Sequence, residues 1–389
     1  MTPVAITGIG VVSALGIGVE PFWQGLLAGR SGIAPLTKLA LRRPLQGGAV
    51  PPIEVRTFAR SAAARRIDRA SLLALAACRL ALEDGGAPAA LADPTRTGLV
   101  LGSAFGNLGE TAVFLDRLFA RGAGNPLVFP NLVMNAPLSY ASIELGITGP
   151  TAMLTEQEAS GEAAIAWGAR LVADGEVDVC LAGATDELEA VLTEVLQDAG
   201  LVAREVPRPF DLGADGSVPG EGAAVLLLER VEHARARGAR IYGRVVPHAG
   251  FGVPASIHGW PRDPEPLAAG LAPLVADADV VIAAASGRPA VDALEAAALV
   301  RASGPRRLLV TAPRGALGDF GAAGALGVAA AALIVYTGIV PPTLGLRGAP
   351  REGLDVVTGD SRRASVRAVL VDGLARGGAC RPLRVEAST

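Results

Sequence analysis

The sequence predicts an α/β protein of stacked sheets and helices, built from two similar halves over residues 1–235 and 236–389. Three observations predict it. "TGLVLGSAF" and "VDVCLAGATDEL" are continuous apolar runs, the pattern of parallel strands buried on both faces. Stretches of helical spacing that end at glycine alternate with such runs. The strand–helix order of the first half then recurs in the second with no low-complexity linker, which predicts an internal duplication in one compact unit.

"VAITGIGVVSALG" opens as a β-rich strand and is expected to turn at its glycines. Its "GIGVVS" half-matches a dinucleotide fingerprint. However, Ser13 stands at the third glycine and Glu20 comes too early to bind a ribose, so a tight strand-to-helix turn is the better reading. "ARRIDRASLLALAACRLALEDGG" has helical spacing and a glycine stop. "LTEQEASGEAAIAWGARL" begins as a small-residue turn that hands over to a long apolar helix at Glu158, and "GAAVLLLERVEHARARG" is a strand leading into a charged helix. In the second half "ARIYGRVVPHAG", "ADVVIAAAS" and "RRLLVTAP" read as strands, "EPLAAGLAPLV" and "VDALEAAALV" as helices, and "RAVLVDGLARGGACRPLRVE" as a closing strand pair. The charge-free run 320–346 is long enough to raise a membrane span. Gly321, Gly324, Gly327 and Gly338 interrupt it and Pro341-Pro342 end it, so a helix buried between layers is expected, starting near Gly321.

Half of the residues are hydrophobic and 19% are charged, enough for a large core. A formal charge of −3 provides no electrostatic footprint for nucleic acid. Cys78, Cys180 and Cys380 fall at no metal spacing and form no disulfide framework; Cys78 reads as a helical core residue and Cys180 as a buried strand residue. No metal and no cofactor are expected. The start of the chain lacks a basic leader and is broken by glycines, so the expected location is cytoplasmic and no membrane partner is expected.

Several stretches together resemble the β-ketoacyl-ACP synthase (ketosynthase) family of the thiolase-like fold. They are "VAITGIGVVSALG" with "LLAGRSGI", "VMNAPLSYASIELGITGP", "RPFDLGADGSVPGEGAAVLLLE" and "GIVPPTLG", spread over nearly the whole chain in the family's order. The resemblance implies a layered α-β-α-β-α arrangement of two duplicated halves, with buried central helices starting near Glu158 and Gly321. It also implies a reaction that this chain is not equipped to run. The family's nucleophile is a cysteine at a helix N-terminus, where the dipole favours the thiolate. Its pattern S-T-A-C-A-S-G meets Thr155-Glu156-Gln157-Glu158-Ala159-Ser160-Gly161 here, so Glu158 stands at the cysteine. The family's H-G-T-G-T-P-x-N-D-x-x-E run meets "AASGRPAVDALE", which places Ala284 at the first histidine and matches Gly287, Pro289, Asp292 and Glu295. In the stretch from Arg314 to Gly324, Arg314 replaces a lysine and Asp319 the second histidine, with one residue missing before the glycines. The family's glycine- and phenylalanine-rich loop survives as "DGLARGGAC" without either phenylalanine.

No other residue offers a rescue. Cys180 and Cys380 are out of register; His233 lies in a helical segment expected to be solvated; His248 and His258 match no family histidine. Relatives with glutamine at the cysteine position decarboxylate malonyl groups but keep both histidines. Loss of all three members implies a subunit inactive alone, similar to the chain-length factors of type II polyketide and polyene synthases. Such a subunit pairs as a heterodimer with an active ketosynthase, meets acyl carrier protein through the complex, and shapes acyl-chain elongation. Two alternatives stay open: altered chemistry with Glu158 as base on an acyl thioester, and a homodimeric acyl-carrier-binding scaffold. The pairing face is expected around 102–137 and 177–184. Arg314, and then Arg288, are the expected counter-charges of a buried Glu158.

Overall fold

The computed structural model describes residues 2–61, 66–86, 93–348 and 351–388. In the first half, Val4–Ser13 pairs antiparallel with Gly222–Arg230, and that strand pairs antiparallel with Val179–Asp186. Next come Thr97–Gly102 and Thr151–Leu154, both parallel. Numbered within the half, the order across the sheet is third, second, fourth, fifth, first.

The second half repeats that order and those directions. Leu308–Thr311, Val280–Ile282 and Ala368–Val371 run parallel, followed by antiparallel Leu383–Glu386 and Gly243–Pro247. One extra strand, Leu354–Val356, is added outside the third. The two first strands pair antiparallel, Val4 opposite Val245, and join the halves into one 12-stranded sheet. The duplication faintly visible in the sequence is therefore explicit in the topology.

Helices Ser160–Ala173 and Ala323–Thr337 pack against each other between the two halves of the sheet. Alternation along the strands creates the layers: Leu226 and Leu228 point into this central core, whereas Val225 and Leu227 face helix Arg69–Asp84 on the outside. On the other outer face, Val281 and Leu370 meet helices Pro264–Ala276 and Pro289–Ser303 through Leu271 and Leu299. This is the layered α-β-α-β-α thiolase-like architecture. Residues 64 and 65, at the front of the expected helix in the first half, lie outside the described residues. Among the described residues no helix is long and apolar enough to cross a membrane. Ala323–Thr337 is buried throughout its first 13 residues and stops at Gly338, whose φ of 68° is open to glycine.

One expectation needs correction. "GIGVVS" makes no turn: Gly8 and Gly10 lie inside the first strand, which is interrupted only by a register shift between Ile6 and Gly8. A Cβ at Gly10 would stand 1.9 Å from the carbonyl oxygen of Ala77, so these glycines serve helix-on-strand contact. The strand expected near the pairing face, Val179–Asp186, is hydrogen-bonded on both sides and buried at every position. Pairing satisfies both its edges, so it offers no backbone to another chain. The strand that ends this side of the sheet is Thr151–Leu154.

Candidate functional site

The edge strand Thr151–Leu154 runs into a short turn that aims Glu158 into the interior. Gln157 adopts a left-handed φ of 53°, a conformation that costs on the order of 1–3 kcal/mol for a residue other than glycine. The Ser160 hydroxyl holds the turn: it donates to the Gln157 carbonyl at 2.7 Å and accepts the Glu156 N–H at 2.9 Å. Glu158 is thus buried just ahead of helix Ser160–Ala173, where the dipole favours a carboxylate.

Its hydrogen-bonded partner is not Arg314, the first arginine expected from the sequence, and Arg288, the second, reaches it only as a long ion pair. Arg376 donates to Glu158 twice, through Nε to Oε1 at 2.7 Å and through its backbone N–H to Oε2 at 3.1 Å. Arg376 comes from the loop after strand Ala368–Val371, where Gly373, Gly377 and Gly378 all take positive φ and fold the chain back over the helix start. Arg314 instead donates to Asp319 at 2.9 Å. The reason is local: both belong to one tight segment, the short helix Arg314–Leu317 and the turn after it, so the nearer carboxylate wins. Arg288 stands between the two acids, 2.9 Å from Asp319 Oδ2 and 4.0 Å from Glu158 Oε1. It is steadied by the Ser217 hydroxyl at 3.1 Å and by the Trp260 ring. The result is one chain of charges: Arg376, Glu158, Arg288, Asp319, Arg314.

The motif stretches build this chain by meeting one another. Val218 accepts the Asp319 N–H at 2.7 Å, and a Cβ at Gly220 would stand 2.8 Å from Phe320, so the "PGEGA" run lies directly against the site. Asp292 accepts the N–H groups of Phe210 at 2.9 Å and Gly287 at 3.0 Å, tying "RPFD" to the loop before Arg288. Burial alone would raise the Asp319 carboxyl, but Arg288 and Arg314 outweigh it and hold the group below the usual aspartate range. Glu158, Arg288, Asp319 and Arg376 line a cavity of about 30 Å³, together with Phe105 and Phe320. That is room for about two water molecules. Ala284 lines a second, smaller void together with Arg314, and its N–H donates to Glu295 Oε1 at 2.6 Å.

The other candidates stay apart. His233 is half-exposed rather than fully solvated, because buried Glu229 draws its Nδ1 to 2.6 Å. His258 is exposed in a loop, and His248 lines a separate groove beside Trp167. All three cysteines are buried and unpaired, and burial pushes the Cys78 thiol up to about 12. Among the described residues no three His, Cys, Asp or Glu side chains are placed to hold a metal ion. Sequence reasoning missed Arg376, Glu162 and Asp372. A signal for Arg376 existed in the arginine of "DGLARGGAC", a charge within a loop whose phenylalanines are lost.

Residues 1–234 match the family described as beta-ketoacyl synthase, N-terminal domain, and residues 268–347 match beta-ketoacyl synthase, C-terminal domain. The chain is 31% identical to the 3-oxoacyl-[acyl-carrier-protein] synthase 2 of Coxiella burnetii, covering 96% of each. It is 34% identical to the granaticin polyketide putative beta-ketoacyl synthase 2 of Streptomyces violaceoruber, over 96% of this chain and 92% of that one. Among solved structures it is similar to the ishigamide ketosynthase/chain length factor, with a TM-score of 0.94, 29% identity and full coverage of both chains.

Proposed function

The chain belongs to the beta-ketoacyl synthase family, and we propose that within it this protein is a non-catalytic, chain-length-factor-like subunit. In this reading it pairs with an active ketosynthase, meets acyl carrier protein through the complex, and works in the cytoplasm. The partner supplies the Cys-His-His chemistry, and this subunit shapes the space that receives the growing acyl chain. Its two halves in this reading are 1–235 and 236–389. One observation carries the reading: the position of the nucleophile is occupied by a carboxylate already bonded twice to Arg376, beside a cavity too small for an acyl group. Asp319 and Ala284 leave no imidazole to activate a thioester or stabilise an enolate. The relatives support the pairing, since one solved neighbour is a ketosynthase/chain length factor.

The pairing face we propose comprises the edge strand Thr151–Leu154 and helix Leu108–Arg121. No residue of that helix is buried, and Val113 and Phe119 are 65% and 83% exposed. Phe129, Val133 and Ile143 extend the exposed apolar set. An obligate interface of this type buries on the order of 2,000 Å² or more. The test is co-expression with a ketosynthase encoded beside this chain, followed by reconstitution with carrier protein and malonyl thioester. Stable co-purification and product only when both subunits are present are expected. Condensation by this chain alone, or no association with the ketosynthase, would reject the reading.

A further inference from the structure

Five buried carboxyl groups and three guanidiniums meet in the interior: Glu158, Glu162, Glu295, Asp319 and Asp372 against Arg288, Arg314 and Arg376. Direct ion pairs account for Glu158 and Asp319. The other three acids have almost no donors. Glu162 Oε2 and Glu295 Oε2 are buried without a donor, the Ala284 N–H donates to Glu295 Oε1 at 2.6 Å, and Asp372 has only the poorly aligned backbone N–H groups of Gly373 and Ala284 beside it.

These acids converge from three elements. Glu162 projects from helix Ser160–Ala173 against Gly324, where a Cβ would stand 2.1 Å from its Oε2. Glu295 comes from helix Pro289–Ser303, and Asp372 follows strand Ala368–Val371. Glu295 and Asp372 face each other at hydrogen-bonding range. A void of about 10 Å³ lies between Glu162, Ala284, Arg314 and Asp372. Arg314 is the cation of the cluster and already bonds Asp319. Asp292, Asp319 and Glu156 add negative charge from the surrounding elements, Arg381 stands farther off in its pair with Glu156, and the Cys380 thiol donates to the Asp372 backbone carbonyl at 3.1 Å. Three cations cannot neutralise five carboxylates in this volume, and two carboxyl groups facing each other need a proton between them.

We propose that the folded protein holds two protons here, one shared by Glu295 and Asp372 and one on Glu162, and that their loss as pH rises loosens the packing between the two halves of the sheet. The proton replaces the missing donor in each case. Burial pushes Glu162 up to about 7 and Glu295 well above the carboxyl range, and raises Asp372. In the unfolded chain the same groups ionise near their ordinary values. The folded state therefore binds more protons than the unfolded state, and stability falls as pH rises from the ordinary carboxyl range through about 7.

The experiment is denaturant unfolding of the full chain, with its partner if one co-purifies, across pH 5 to 9, alongside infrared spectroscopy of the native protein. The unfolding equilibrium constant should rise roughly tenfold per pH unit for each extra proton held. Glu162→Gln should flatten the part of that rise below about pH 7. The native protein at mildly acidic pH should show the C=O stretch of a buried protonated carboxyl, and Glu295→Gln should remove or shift it. A native protein lacking that band overturns the proposal even if every variant misfolds. So does a pH-independent unfolding constant, a slope unchanged in Glu162→Gln, or saturable stabilisation by potassium ions at neutral pH, which would mean that a cation takes the place of the protons.

Discussion

Arg376 holds both carboxylate oxygens of Glu158, Oε1 through its guanidinium at 2.7 Å and Oε2 through its own backbone N–H at 3.1 Å. The backbone bond fixes the glycine-rich loop, and the side-chain bond neutralises a charge that is 4% exposed. Arg376 itself is partly exposed, with its guanidinium over the Phe105 ring.

Removing the arginine leaves Glu158 without its strongest partner. Arg376→Ala is expected to cost about 2–3 kcal/mol, somewhat below the range for breaking a fully buried pair because one side of this pair meets solvent. Glu158→Ala with Arg376→Ala should cost less than the sum of the single changes. A double-mutant cycle by urea unfolding measures the coupling, and additive single effects would deny it.

Restoring the thiol is not expected to restore the reaction. Glu158→Cys leaves Ala284 and Asp319 in place of imidazoles, so the isolated variant should show no condensation in product analysis. Adding Asp319→His should fail in another way: it takes the shared carboxylate from Arg288 and Arg314 together and is expected to cost roughly 3–5 kcal/mol. Condensation by Glu158→Cys, alongside its acylation by intact mass, would contradict the inactive site.

Asp319 sets an acid limit on the fold. Its folded carboxyl lies below the ordinary aspartate value, so its contribution is present above that value and is lost as pH falls through the folded one. Thermal melts below about pH 4 should drop steeply in the native chain, and less in Asp319→Asn, which starts lower at neutral pH. Equal acid limbs in both proteins would remove Asp319 from this role.

Phe119 separates assembly from folding. It is 83% exposed on a helix without buried residues, so Phe119→Asp should change monomer stability by no more than about 0.5 kcal/mol. The same change should abolish co-purification with the ketosynthase, and unimpaired pairing would move the interface elsewhere. Expressed alone, the native chain should be a homodimer or poorly soluble; a monodisperse monomer by light scattering would count against an obligate partner.

Much was legible from local sequence. The buried runs around Leu99 and Leu181 announced central strands because burial on both faces leaves no room for polar alternation. The glycine interruptions of 321–338 announced an internal helix, and motif register alone set Glu158, Ala284 and Asp319 opposite the cysteine and histidines of the family it resembles. Residue spacing misled where glycine had two uses. In "GIGVVS" it serves close packing under Ala77 and Ala81, a contact with a helix more than sixty residues away that no local pattern displays.

The sequence by itself determined the fold, the duplicated order of strands and helices, and which residues stand at the positions of the family's cysteine and histidines, because these rest on periodicity, on the family's motifs and on residue type at a matched position. Only the tertiary structure decided which arginine holds Glu158, which acids gather around Arg314, and which strand ends the sheet. Arg376 and Glu158 lie 218 residues apart, and Asp319 captures Arg314 across a single turn. Charge pairing is settled by distance in space, and that distance exists only once helix, strand and glycine turn have packed together.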